Sequence, residues 1–178
     1  MNLSLATIGV VALLSACSMS PMTMNQVDNT ALPEAVRVPT GQAMRMVATG
    51  VGEITYECRE KAAAAGQYEW AFVGPVATLH AGDKRNVGKY YAGPTWEAAD
   101  GSKVTGKQVA VSPSAPGNIP LQLVKTDPAM GSGAMTGVTY IQRLNTKGGV
   151  APGATCDAAS KGRRQQVAYE ADYAFYGT

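Results

Sequence analysis

The chain has 178 residues, 46% of them hydrophobic, with 15 basic and 13 acidic side chains and a formal net charge of +2. That is enough apolar material for one domain with a real core, and too even a charge balance for a nucleic-acid binder. Twenty glycines and ten prolines favour short strands joined by tight turns over long helices.

Residues 1–16 read as an export signal. The apolar run at 3–14 has the length of a signal core and is too short to span a bilayer. It ends in Leu14-Ser15-Ala16-Cys17, which resembles a bacterial lipobox, where the cysteine becomes the lipidated first residue of the mature protein. No Lys or Arg precedes Cys17, so a plain secretory signal with a chance cysteine is the competing reading. Ser18 rather than Asp follows the cysteine, which by resemblance to sorted lipoproteins favours the outer membrane, facing the periplasm or the cell surface. The expected partners are the membrane, through lipid on Cys17, and an envelope glycan or protein.

Residues 17–40 comprise that cysteine and a stretch rich in Met, Ser, Asn and Pro without an apolar period, so a disordered tether is expected. About 20 residues of coil reach roughly 25 Å. Met19, Met22, Met24 and Met44 suggest a soft-metal site only weakly, because no His or second Cys accompanies them. Neither a metal nor another cofactor is expected.

Residues 41–178 read as a single β-domain. Setting Cys17 aside leaves Cys58 and Cys156, and an even remainder in an exported chain reads as a disulfide. A metal pair or redox site competes with that reading, but no Cys-x-x-Cys is present. Period-two alternation recurs along the chain. Ile54, Tyr56 and Cys58 share a face, as do Tyr68, Trp70 and Phe72. Val138, Tyr140, Gln142 and Leu144 alternate with Thr139, Ile141 and Arg143. Near the end, Val167, Tyr169, Ala171, Tyr173 and Phe175 oppose Glu170, Asp172 and Tyr176. One short helix is expected at 57–65, where the Ala62–Ala65 run meets Gly66. The expected fold is all-β, an antiparallel sandwich or partly closed barrel of short strands.

Several long motifs recur along the domain. They include Tyr56-x-Cys58, Trp70-x-Phe72-x-Gly74-Pro75, Tyr91-Ala92-Gly93-Pro94-Thr95-Trp96-Glu97 and Asp100-Gly101-Ser102. Further along come Ile119-Pro120, Ile141-Gln142-Arg143, Thr146-x-Gly148-Gly149 and Tyr169-x-Ala171-x-Tyr173-x-Phe175-Tyr176. Together they resemble the exported domain-of-unknown-function family number 3455 of bacteria and fungi, from about Gly50 to the end. The resemblance carries no established activity, and its two cysteines match Cys58 and Cys156, which supports the disulfide. The chain departs from it at Tyr90, where members often have His, and at Leu121, where they often have Trp. Some members carry a dehydrogenase-like label. The glycine-rich stretch 131–137 argues against it here: its third glycine falls one place late, and it precedes a strand rather than opening a helix.

The candidate chemistry is sparse. His80 is the only histidine, and no serine stands in a Gly-x-Ser-x-Gly elbow to use it, so it reads as a structural or surface side chain. Glu97 and Asp100 lie three apart beside Trp96, with Tyr90 and Tyr91 upstream. A polysaccharide hydrolase would use two such carboxylates as catalytic residues, with aromatics to stack on sugar. Asp100-Gly101-Ser102 is more simply a turn. Tyr90, Tyr91, Trp96 and Glu97 form the candidate ligand-binding patch. Arg143 is expected to pair internally with Glu97 or Glu170, with anion binding as the weaker reading. The leading expectation is therefore a non-catalytic envelope binding or structural module. The alternative is a hydrolase acting on envelope polysaccharide through Glu97 and Asp100.

Overall fold

The computed structural model describes residues 27–178; Cys17 and the expected signal lie outside the described residues. The strands are β1 (Ala43–Lys61), β2 (Ala64–His80), β3 (Asn86–Tyr91), β4 (Thr95–Ala98), β5 (Lys103–Ser112), β6 (Leu121–Thr126), β7 (Val138–Gly148) and β8 (Arg164–Gly177). Each pairs antiparallel with the next, and β8 returns to β1 over Ala43–Glu57. Of the two expected architectures the chain thus adopts the barrel, closed by the β1–β8 ladder.

The alternation decides which side of the wall each residue takes. Ala48, Ile54, Tyr56, Tyr169, Ala171, Tyr173 and Phe175 point inward and form one cluster with Leu79, Tyr90, Trp96 and Ile141. Gly50 faces the same interior. A Cβ there would lie 2.7 Å from the Tyr173 ring, so glycine gives that ring its space. The outward positions carry ion pairs such as Lys89–Glu97, Arg164–Glu57 and Lys147–Glu170. The interior is apolar, while the exterior mixes these ion pairs with exposed apolar side chains such as Val51 and Val76.

The two ends of the barrel differ. At one, the 127–137 connection between β6 and β7 folds inward and buries Met135 completely. It is pinned by Asp100, which accepts from Ala134 N at 2.7 Å, and by Ser102 Oγ, which accepts from Met135 N at 3.1 Å. The glycine-rich stretch is a turn, as its composition implies, but one anchored as a plug. The other end carries the β3–β4 turn, the 113–120 connection and the long β1–β2 hairpin.

Two expectations are corrected here. The helix expected at 57–65 is the tip of the β1–β2 hairpin, with Arg59 paired to Glu69 and Lys61 to Ala64. The alternation of Tyr56 and Cys58 with charged neighbours continues into it and overrides the local alanine propensity. The expected tether reaches Thr40, yet its described part is packed on the barrel. Val36 and Val38 are buried against Leu123, Ala174 and Tyr176, on the outside of β6 and β8. The Gln142 amide holds this strap: its Nε2 donates to Val36 O at 2.7 Å and to Asn29 Oδ1 at 3.0 Å, while its Oε1 accepts from Tyr176 Oη at 2.8 Å. Two valines in a polar segment are a weak periodic signal, but they cover apolar wall that would otherwise face water.

Cys58 and Cys156 form a disulfide with Cα atoms 5.5 Å apart, closing 98 residues of sequence. Beyond Glu57 the ladder to β8 ends, and the β7–β8 connection takes over. Cys58 N donates to Arg163 O, Gly162 N donates to Cys58 O, and Trp70 Nε1 donates to Ala154 O. The cross-link therefore ties the hairpin to the loop that supports it.

Candidate functional site at the open end of the barrel

The barrel wall divides the aromatic-acidic patch expected from sequence. Tyr90 and Trp96 point inward as a stacked pair, ring centroids 4.6 Å apart, with Tyr173 5.1 Å from Tyr90. Trp96 is buried, and among the described residues its Nε1–H has no acceptor. Tyr91 and Glu97 take the opposite face. Tyr91 Oη donates to Glu97 Oε2 at 2.8 Å, and Lys89 Nζ lies 3.1 Å from Oε1. The Tyr91 hydroxyl, and after it Lys89, hold the Glu97 carboxyl below its usual range.

Asp100 belongs to the plugged end. Its carboxylate accepts from Ser102 Oγ at 2.6 Å, Ser102 N at 2.9 Å and Ala134 N, and these bonds lower its pKa. His80 sits at the β2–β3 turn with Nδ1 3.2 Å from Lys84 O. No group of three or more metal-ligating side chains occurs among the described residues.

Arg143 pairs with neither expected carboxylate, because Glu97 is held by Tyr91 and Lys89, and Glu170 by Lys147 at 2.6 Å. It points inward between the outward Gln142 and Leu144. Its Nε and Nη2 both donate to Pro120 O, at 3.2 and 2.9 Å. Pro120 is itself fixed, since Ile119 N donates to Gly148 O and Thr146 Oγ1 donates to Ile119 O at 2.7 Å.

Arg143 lies in a cleft of about 370 Å³ that opens at the unplugged end. One wall is aromatic and apolar, with Tyr56, Phe72, Pro75, Tyr90 and Pro94 from the β1–β4 side of the barrel. The other is polar, where Gln122 Nε2 donates to Gln108 Oε1 at 2.7 Å beside Arg143. Phe72 is 59% exposed and meets Tyr56 edge-on at 6.1 Å. Burial raises the pKa of Tyr90, opposed by the charge of Arg143. Deeper in, Tyr169 and Tyr173 hydroxyls lie 3.3 Å apart; burial pushes Tyr169 up to about 12 and Tyr173 well above the usual range.

Of the expected ligand residues, only Tyr90 lines this cleft, with Trp96 stacked behind it. Phe72, Gln108, Gln122 and Arg143 are additional lining residues. For Gln108, Gln122 and Arg143 the signal was a polar or charged side chain at an inward period-two position, as Gln122 is between Leu121 and Leu123; the apolar Phe72 carried no such mark.

The fold and site together define an antiparallel eight-stranded meander barrel, plugged at one end and cleft at the other. Residues 39–177 match the family described as Protein of unknown function (DUF3455), and the chain belongs to that family. No curated protein and no solved structure matches the chain.

Proposed function

We propose that this protein is an exported, lipid-anchored and non-catalytic module of the cell envelope that binds a small molecule in the open-end cleft. The observation that carries the reading is the cleft itself: an aromatic wall beside a few fixed polar groups, at the mouth of a barrel, is where small ligands are held. The disulfide supports export, since such bonds persist in oxidising compartments. Lipobox-like residues ending at Cys17 support the anchor.

The hydrolase reading through Glu97 and Asp100 finds less support. A glycosidase needs one carboxyl held protonated to serve as acid. Both carboxyls here are held below their usual range, Glu97 on the outer wall and Asp100 inside a turn.

The test is equilibrium dialysis of the purified protein against the low-molecular-mass fraction of its cell envelope, followed by mass spectrometry. A species enriched on the protein and recovered at unchanged mass is expected. Steady conversion of a solute, or no enrichment at all, overturns the reading.

A further inference from the structure

The cleft contains a cation whose geometry selects a ligand class, an inference that rests on the cleft being the binding site. Arginine presents five N–H donors in a planar fork. Pro120 O occupies the Nε–Nη2 edge of Arg143. The terminal Nη1–Nη2 edge has no hydrogen-bond partner among the described residues, and no described carboxylate forms an ion pair with this side chain.

That edge is the one that grips a carboxylate through two parallel hydrogen bonds. The carbonyl that occupies the other edge also fixes the guanidinium in place, so little freedom is left to lose on binding. A guanidinium at the cleft mouth without a carboxylate partner among the described residues favours an anionic guest. Apart from Arg143, Gln108 and Gln122 the lining is mostly aromatic or apolar, so the guest must carry an apolar body along with its charge.

We propose that the cleft binds small apolar carboxylates. The carboxylate lies on the Nη1–Nη2 edge of Arg143. The apolar body lies against Phe72, Tyr90 and Pro94, and the amides of Gln108 and Gln122 border the anionic end.

The test is calorimetric titration of the full chain, purified as the cell makes it, with 2-naphthoate, 2-naphthalenemethanol and 2-naphthylmethylammonium. These probes share one ring system and differ in charge. Naphthoate should bind about tenfold or more tighter than the alcohol, as a charge-assisted pair implies, and the ammonium most weakly. Arg143→Gln should abolish the preference, while Arg143→Lys should keep part of it.

Added salt should weaken naphthoate and spare the alcohol in the unmutated protein, a readout that holds even if Arg143→Gln impairs folding. Equal affinity for naphthoate and the alcohol overturns the carboxylate inference while leaving the cleft as a binding site. Failure of all three probes to bind overturns both.

Discussion

Tyr90 and Tyr91 are neighbours in the chain and lie on opposite sides of the barrel wall, and the same wall separates Trp96 from Glu97. Trp96 is therefore a packing residue first. It fills the interior between Tyr90 and Tyr173, at centroid distances of 4.6 and 5.9 Å. Trp96→Ala should destabilise the fold by about 3–5 kcal/mol, read by urea unfolding, because the surrounding β-ladders cannot collapse to fill the space. A loss below about 1 kcal/mol would mean the ring is not a core element.

The interior tyrosines also set a pH limit. Unfolded tyrosine ionises near 10, while burial holds folded Tyr169 at about 12 and Tyr173 well above the usual range. Below pH 10 both states keep these protons, and the contribution to stability is constant. Between 10 and 12 the unfolded chain has released protons that the native state retains. The unfolded state then binds fewer protons, and stability falls as pH rises. Urea midpoints should hold up to about pH 10 and drop beyond it. Phenolate absorbance should appear in step with unfolding for the buried tyrosines; full ionisation of all eight tyrosines in a still-folded protein would contradict this burial.

At the scale of elements, period-two alternation was the readable signal, and it was most complete in β8. Tyr169, Ala171, Tyr173 and Phe175 against Glu170, Asp172 and Tyr176 gave both the strand and its faces. Closure was not readable, because the β1–β8 ladder joins the two ends of the domain and leaves no local mark. The helix expected at 57–65 failed because propensity is local, whereas Cys58 is held by Cys156 and by the 162–163 backbone. The cleft stayed hidden for a related reason: Arg143, Phe72 and Gln122 lie on different strands, and only closure brings them to one mouth.

Two elements make checkable contributions. Gln142→Leu removes two hydrogen bonds to the strap and one to Tyr176 of β8, and leaves Val36 O and Tyr176 Oη to find other partners. A loss of about 1–3 kcal/mol is expected, with faster amide exchange at Val38, whose N–H donates to Asn29. Unchanged exchange there would show that the strap holds without Gln142. Replacing both Cys58 and Cys156 by Ala should cost about 4–5 kcal/mol, less any strain released, from the reopened loop. A double variant as stable as the parent would remove the cross-link from the account of stability.

At the scale of the molecule, ladders close the wall, Met135 seals one end, and the hairpin and its disulfide-linked loop frame the other. Residues 1–26 lie outside the described part, and anchoring is tested separately: Cys17→Ala should move the protein from the membrane fraction to the soluble fraction, and continued membrane fractionation would count against lipidation there. The most direct test of the central reading is amide chemical-shift mapping while the small-molecule fraction of the envelope is titrated in. Shifts should gather at Ile54, Phe72, Gly93, Gln122 and Arg143, with Lys89, Glu97, Asp100 and Met135 quiet. Shifts centred on the outer Lys89–Glu97 face or on the Met135 plug, or none anywhere, would contradict it.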